Sequence, residues 1–199
     1  MRLGLFGGTF DPVHYGHLLL AEQCKEQCKL NEIQFIPSGD PPHKEKRIMT
    51  EGKKRVEMLE FATACAPYFH VNKMELEREG TTYTVDTLRA VQEEQPDAEL
   101  YFLMGADSLD DLSTWKNPEE IAQLATIVAV NRGAEPLPTL TGIADALGEE
   151  VAASIQFVTI PSVNFSSSDI RQRIAEDRSI RYMVPRAVEA YIWEQRLYG

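Results

Sequence analysis

The chain alternates strand-like apolar segments with helix-like segments, and this alternation limits the fold more than any other feature of the sequence. Three apolar runs, 100–104, 126–130 and 157–160, have the length of a strand. Such continuous runs are typical of strands that are buried on both faces of a sheet. Strands that alternate with helices join through right-handed crossovers, which produce a parallel sheet. The sequence therefore predicts a Rossmann-like α/β fold, a parallel sheet with helices on both faces.

The predicted elements extend over most of the 199 residues. The predicted strands are 2–6, 33–36, 69–71, 100–104, 126–130 and 157–160. The predicted helices are 17–28, 56–65, 84–94, 167–176 and 185–195. No repeat, linker or change of composition divides the chain, so we expect one domain over residues 1–199. The stretches 39–50 and 133–139 are expected to be surface loops.

The composition of the chain argues against several classes of partner and indicates the environment of the protein. The chain has 20 Lys and Arg against 31 Asp and Glu, a net charge of −11. This charge argues against nucleic acid, whose binding needs neutralised phosphates, and against anionic membranes, but a few local cations can still bind a small anion. No apolar run reaches the ~20 residues of a membrane span, and the N-terminus lacks the apolar part of a signal peptide. Three cysteines without a CxxC motif suit a reducing, cytoplasmic location, where we expect Cys24, Cys28 and Cys65 to be packed or idle thiols.

The segment after the first predicted strand is the strongest candidate for a binding site. It reads Gly7-Gly-Thr-Phe-Asp-Pro-Val-His14-Tyr-Gly-His17. In a parallel sheet, ligands bind beyond the carboxyl ends of the strands. The glycines allow close approach to a phosphate, and the following helix turns its N–H groups toward the same place. The two histidines can reach one anion. Structural or zinc-binding histidines are the alternatives, but no third metal ligand is apparent, and the glycines favour phosphate.

Other strand ends carry polar residues whose function the residues alone leave open. Lys44 lies in a proline-stiffened loop, either near a phosphate or in solvent. The Asp107 carboxylate is equally suited to bind a ribose hydroxyl and to cap the start of a helix. Trp115 is either a stacking surface for a flat ring or a plug over the core, and the residues alone favour the plug.

The last predicted strand is followed by Phe165-Ser-Ser-Ser-Asp-Ile-Arg171. Serines that open a helix are good N-caps, and they also place hydroxyls beside unused N–H groups. Arg171 lies one turn into this helix, and its planar guanidinium suits phosphate oxygens. Arg132, at the end of another strand, adds a cation at the same edge of the sheet. The combination is suited to a polyphosphate.

Together these segments resemble the nucleotidyltransferase superfamily. Its HxGH motif corresponds to His14, Gly16 and His17, and its second motif ends at Arg171. Further segments resemble the bacterial nicotinate-nucleotide adenylyltransferases, and this resemblance covers essentially the whole chain. These segments are 41–44, 82–87, 105–107 with Trp115, and 184–199. The resemblance implies a sheet of the nucleotidyltransferase type.

The resemblance also implies a reaction and a set of site residues. In that reaction, ATP and nicotinate mononucleotide give deamido-NAD and pyrophosphate, with no protein nucleophile. The implied catalytic residues are His14, His17 and Arg171. The implied ATP-binding residues are Gly8, Thr9, Phe10, Gly16, Asp107, Ser167 and Ser168, of which the first three would line both substrates. The implied residues for the nicotinate nucleotide are Lys44, Tyr83, Thr84, Trp115 and Arg132. Mg²⁺ would arrive on the ATP phosphates, with few or no protein ligands.

Three alternatives remain open at this point. A sister enzyme on the same fold would use nicotinamide mononucleotide or phosphopantetheine as acceptor. A non-catalytic nucleotide sensor would be expected to lack His17 or Arg171, and both are present. A metal-dependent hydrolase would use the histidine pair. The sequence leaves the oligomeric state open, a homo-oligomer included.

Overall fold

A parallel sheet of six strands forms the centre of the fold in the computed structural model, which describes residues 1–39, 49–133 and 140–199. The strand order is β3-β2-β1-β4-β5-β6, and every neighbouring pair is parallel. The strands are β1 Arg2–Gly8, β2 Glu32–Pro37, β3 Phe69–Val71, β4 Glu99–Gly105, β5 Ala125–Arg132 and β6 Ile155–Ile160. All six predicted strands are confirmed, and so is the α/β fold class.

Helices connect the strands and cover the sheet. They are α1 Tyr15–Gln27, α2 Gly52–Thr63, α3 Met74–Glu77, α4 Thr84–Glu94, α5 Pro118–Leu124, α6 Thr141–Leu147, α7 Glu149–Ala153, α8 Ser167–Ala175 and α9 Arg186–Glu194. Two 3₁₀ turns follow β4, at Ala106–Ser108 and Leu112–Thr114. The five predicted helices are confirmed with small shifts at their ends. Four further helices, α3, α5, α6 and α7, were not predicted, because helices of four to seven residues are too short to show a helical period.

The apolar runs of the central strands pack on both faces of the sheet, as predicted. In β4, Tyr101 and Leu103 join a core cluster with α1, α2, α8 and α9, whereas Leu100, Phe102 and Met104 join a second cluster with α4 and α5. Successive side chains of a strand point to opposite faces, so an entirely apolar strand supplies both cores.

The order of the strands sets the position of the site. From β1 the chain proceeds outward to β2 and β3, and it then returns to place β4, β5 and β6 on the other side of β1. This reversal between β1 and β4 is a topological switch point, and it opens a crevice beyond the carboxyl ends of these two strands. The segment of residues 9–14, between β1 and α1, lies there. Within the described residues, no helix has the length and apolar character needed to cross a membrane.

Candidate active site

Glycines let the β1–α1 segment, residues 9–14, pack tightly at the switch point. A Cβ atom on Gly8 would lie 2.9 Å from the ring of Phe10, and one on Gly16 would lie 3.0 Å from the ring of His14. Phe10 has a φ of 49°, a left-handed conformation that is uncommon for a bulky residue. Its ring is buried and meets the His17 ring edge-on, with 5.1 Å between centroids. The strained backbone of Phe10 thus places its ring against His17, where it supports the histidine pair.

The two histidines form a stacked pair at the start of α1. Their ring centroids are 3.7 Å apart and their planes differ by 20°. The backbone N–H of His14 donates to Nδ1 of His17 at 3.2 Å. A ring nitrogen that accepts a hydrogen bond carries no proton, so this contact assigns the proton of neutral His17 to Nε2. Both rings line a cavity of about 380 Å³, named here the histidine cavity.

The end of β4 forms part of the wall of the histidine cavity. Gly105, Asp107 and Ser108 line it there, and Phe165, just before α8, closes another side. A Cβ on Gly105 would lie only 2.3 Å from Oδ1 of Asp107, so glycine is needed for this carboxylate to fold back over the strand end. Asp107 is exposed and faces any ligand that enters the cavity beside the histidines.

A second cavity of about 530 Å³, named here the tryptophan cavity, lies on the other side of Ser108, which lines both. The residues that line it include Gly8, Thr9, Ser38, Thr82, Tyr83, Thr84, Trp115 and Lys116. The hydroxyls of Ser38 and Thr82 are buried and have no hydrogen-bond partner among the described residues. Since buried polar groups are normally satisfied, these two hydroxyls are available to an ordered water or to a polar group of a ligand.

The amino end of α4 opens into the tryptophan cavity. Tyr83 is its N-cap residue and makes no side-chain capping bond. The N–H groups of Asp86 and Thr87 donate to the Tyr83 carbonyl. Those of Thr84 and Val85 are beyond reach of any carbonyl of their own helix. With the positive end of the helix dipole, they make this position suited to a carboxylate.

Trp115 combines the two functions that the sequence posed as alternatives. Its ring meets Phe102 of the core edge-on, with centroids 5.9 Å apart and planes at 75°. The side chain is half-buried and also lines the tryptophan cavity. The indole therefore covers the core with one part of its surface and offers the rest to a ligand.

The start of α8 holds the β1–α1 segment in place. Ser166 caps α8 by accepting from the N–H of Asp169 at 3.1 Å. The Ser167 hydroxyl donates to the Pro12 carbonyl at 2.9 Å. Arg171 donates through Nη1 to the Asp11 carbonyl at 2.6 Å and through Nη2 to the Ser168 hydroxyl at 2.9 Å. Residues about 155 positions apart are thus joined next to the histidine pair.

Sequence reasoning missed a buried arginine below the site. Arg55 in α2 is 1% exposed, and its guanidinium donates to three backbone carbonyls. The acceptors are Thr50 at 2.9 Å, Thr9 at 2.8 Å and Ser38 at 2.9 Å. Burial lowers the pKa of Arg55, while the nearby Asp11 carboxylate favours the charged form. The only available signal was its helical spacing with the buried Leu59 and Ala62.

Asp11 forms the second part of this buried cluster. It is 1% exposed and accepts from the Tyr198 hydroxyl at 2.7 Å and from the Thr50 N–H at 3.4 Å. Burial, followed by the bond to Asp11, raises the pKa of Tyr198 well above its ordinary value. Arg55, Asp11 and Tyr198 therefore support the β1–α1 segment from below.

The structure assembles most of the predicted residues around the two cavities. His14, Gly16, His17 and Asp107 line the histidine cavity, whereas Gly8, Thr9, Tyr83, Thr84 and Trp115 line the tryptophan cavity. Ser167, Ser168 and Arg171 contact the β1–α1 segment or each other, as described above. The Phe10 side chain belongs to the core, which leaves its backbone for a ligand. Lys44 lies outside the described residues, and Arg132 ends β5 opposite Ile160.

The described residues contain no group of three or more His, Cys, Asp or Glu side chains placed to hold a metal ion. The three cysteines are free thiols. Cys24 and Cys28 are buried in the core and burial raises the pKa of both, whereas Cys65 is exposed. The prediction of packed or idle thiols agrees with these positions.

Comparisons of this chain with known proteins agree on its family. The cytidylyltransferase-like family model matches residues 5–173. A probable nicotinate-nucleotide adenylyltransferase of Thermomicrobium roseum is 46% identical over 199 residues, covering 99% of this chain and 91% of the relative. One from Thermus thermophilus is 44% identical and covers both chains completely.

A solved structure shares the fold. The Plasmodium falciparum nicotinic acid mononucleotide adenylyltransferase complexed with NaAD aligns with a TM-score of 0.79 at 20% identity, covering 99% of this chain and 97% of that one. This likeness confirms the nucleotidyltransferase type of sheet. The sequence relatives carry the assignment further: the chain belongs to the cytidylyltransferase-like family and, within it, to the nicotinate-nucleotide adenylyltransferases.

Proposed function

We propose that this enzyme transfers the adenylyl group of ATP to nicotinate mononucleotide, giving deamido-NAD and pyrophosphate. The observation that carries the proposal is the pair of cavities that meet at Ser108. One contains the stacked histidines, and the other contains a helix amino end beside an indole. Two nucleotides bound in these cavities would meet at the switch point, next to the β1–α1 segment.

The histidine cavity suits ATP. Nε2–H of His17 and the ring of His14 would contact the α- and β-phosphates and stabilise the charge that develops during transfer. Arg171 and the amino end of α8, with Ser168, would hold the departing pyrophosphate. Ser167 would act by fixing Pro12. Gly16 allows the phosphates to approach the helix, and Asp107 would face the adenosine.

The chemical step needs no protein nucleophile. A phosphate oxygen of the nicotinate nucleotide forms the new bond to the α-phosphorus of ATP, and the bond from that phosphorus to the bridging β-oxygen breaks. The electron pair leaves with pyrophosphate. Because the attacking oxygen is already an anion, no general base is required. The chain's contribution is alignment of the two phosphates and stabilisation of their charge.

Mg²⁺ fits this scheme as a companion of ATP, where it would neutralise phosphate charge. Its ligands would be the phosphate oxygens of ATP, with few or no ligands from the protein. Lys44 and Arg132 would add positive charge for the phosphates of the nicotinate nucleotide.

We place the reaction in the cytoplasm, because the cysteines suit a reducing environment, and in one domain spanning residues 1–199, because no linker or change of composition divides the chain.

The tryptophan cavity suits the nicotinate nucleotide. The pyridine ring would stack on Trp115, its carboxylate would accept from the N–H groups of Thr84 and Val85, and Tyr83 would line the same wall. Gly8 and Thr9, with the backbone of Phe10, would lie between the two substrates. A nicotinamide ring would turn its NH₂ group toward the same N–H donors, which leaves buried donors unpaired and costs affinity.

An acceptor panel tests the proposal. The protein is incubated with ATP and Mg²⁺ together with nicotinate mononucleotide, nicotinamide mononucleotide or phosphopantetheine, and pyrophosphate release is measured. We expect a strong preference for the nicotinate nucleotide. Trp115→Ala should lower kcat/KM for both pyridine nucleotides by comparable factors, because an indole stacks on either ring. Equal use of the two pyridine nucleotides by the parent, or preference for phosphopantetheine, would overturn the assignment.

A further inference from the structure

Lys116 lies at the edge of the tryptophan cavity, next in sequence to the stacking indole. Its Nζ is 4.4 Å from the centroid of the Tyr83 ring and 2.8 Å from Oδ2 of Asp86. Tyr83 caps α4 and Asp86 lies in its first turn. The ammonium group is therefore fixed beside the helix end that we assign to the carboxylate of the acceptor, although its side chain remains 42% exposed.

The charge of the cavity makes this ammonium important. Among the described residues that line the tryptophan cavity, Lys116 is the only cation, and the charged groups that accompany it are the carboxylates of Glu75 and Asp111. These two carboxylates disfavour an acceptor that carries negative charge on its ring. The attraction from Lys116 offsets them at the position where the acid and its amide differ.

The ion pair with Asp86 does not make the charge of Lys116 redundant, because Asp86 belongs to a larger network of charges that is neutral only when Lys116 is present. Its Oδ1 accepts from Arg89 at 2.7 Å, and Arg89 also donates to Glu120 at 2.7 Å. These four groups carry two positive and two negative charges in total. Removal of Lys116 would leave one net negative charge on the network of Asp86, Arg89 and Glu120, so the ammonium both attracts an acidic ring and neutralises carboxylate charge that would repel it.

We propose that Lys116 is a specificity-determining residue that favours the nicotinate nucleotide over the nicotinamide nucleotide through the charge of its ammonium group. This inference rests on the proposed function. The two acceptors have nearly the same shape and differ by one negative charge on the ring. A cation held against Tyr83 and Asp86 at this helix end discriminates between them, whereas Tyr83 and Trp115 contact either ring equally. For a partly exposed charge we expect a contribution of about three- to ten-fold in the ratio of kcat/KM values.

The test measures kcat/KM for both pyridine nucleotides in the parent and in three variants. Lys116→Met should lower the acid-to-amide ratio about three- to ten-fold, because the charge is lost while much of the apolar stem is kept. Lys116→Arg should retain the ratio. Asp86→Asn should raise it, since one carboxylate near the site is removed. A general loss of folding or stacking lowers both kcat/KM values together and leaves the ratio unchanged.

Salt provides an independent readout. Raising the ionic strength from about 0.02 M to about 0.5 M should lower the acid-to-amide ratio of the parent and change that of Lys116→Met much less, because the screened charge is absent there. An unchanged ratio in Lys116→Met, with the acid still preferred, would overturn this inference and leave the proposed function standing. A parent that uses neither nucleotide would overturn both.

Discussion

Tyr198→Phe removes one hydroxyl from the buried cluster below the β1–α1 segment, and we expect it to destabilise the fold. The Tyr198 hydroxyl donates to Asp11 Oδ1 at 2.7 Å, and Asp11 is 1% exposed. A hydrogen bond to a charged group contributes about 1.5–3 kcal/mol. The N–H of Thr50 donates to the other carboxylate oxygen at 3.4 Å, and this contact should persist in the variant. We therefore expect the free energy of unfolding to fall by about 2 kcal/mol.

For a chain of this length, 2 kcal/mol corresponds to a decrease in Tm of about 4–8 °C. Urea unfolding at pH 7.5, followed by circular dichroism, measures the free energy directly. Tyr182→Phe is a suitable control, because Tyr182 is 81% exposed and its change should stay within about 0.5 kcal/mol. Equal stability of Tyr198→Phe and the parent would refute the cluster as a support of the site.

The same variant should show a defined pH dependence. The folded protein raises the pKa of Tyr198, because burial and Asp11 disfavour the phenolate. A phenol whose pKa is higher in the folded state contributes its full stabilisation to the free energy of unfolding below its unfolded pKa of about 10. This contribution declines as the pH rises above that value. The difference in stability between parent and variant should thus be constant from pH 7 to 9 and decrease above pH 10. Tyr191, whose pKa is raised to about 12, titrates in both proteins and cancels in the difference.

Three further experiments test the site and the thiols. His17→Ala should retain the native circular dichroism spectrum and lose about 10²–10³-fold in kcat, because one preorganised stabiliser of the transition state is removed; near-normal turnover would refute its catalytic function. Arg171→Lys should both weaken ATP binding and slow turnover, since lysine loses the planar fork, and steady-state constants within twofold of the parent would reduce Arg171 to a structural residue. A maleimide should label Cys65 rapidly and the buried Cys24 and Cys28 only after unfolding, with activity retained after the first label; loss of activity on single labelling would place the exposed thiol at the site.

The sheet and the first half of the site were predictable because their signals are local. Continuous apolar runs such as 100–104 mark strands with two buried faces, and the structure places their alternate residues in two cores. The histidine pair follows β1 within a few residues, so its position at a strand end could be derived from sequence order and the general location of sites in parallel sheets. The switch point brings it next to Asp107, which also follows a strand end directly.

The buried support of the site could not be predicted, because its contacts join distant parts of the chain. Tyr198 and Asp11 are 187 residues apart, and Arg55 and Thr9 are 46 apart. The helical spacing of Arg55 with Leu59 and Ala62 was too weak a signal, because Arg55 follows two lysines and looks like part of an exposed face. In the structure it enters the core, where its guanidinium donates to three carbonyls. The charge of such a residue predicts exposure, and only the packing of α2 against the strand ends reverses that expectation.

Trp115 shows why the residues alone left an alternative that the fold removes. A large aromatic side chain in a polar stretch is expected either to cover the core or to contact a ligand, and the composition of the stretch cannot separate these cases. At a switch point the two are compatible, because the core residue Phe102 of β4 also lines the tryptophan cavity, next to the indole. Packing against Phe102 restricts the indole and so prepares its remaining surface for stacking, which reduces the entropy that ligand binding must oppose. Stacking here depends on core packing, so enlarging or shrinking Phe102 should alter acceptor affinity even though the substituted side chain lies mainly in the core.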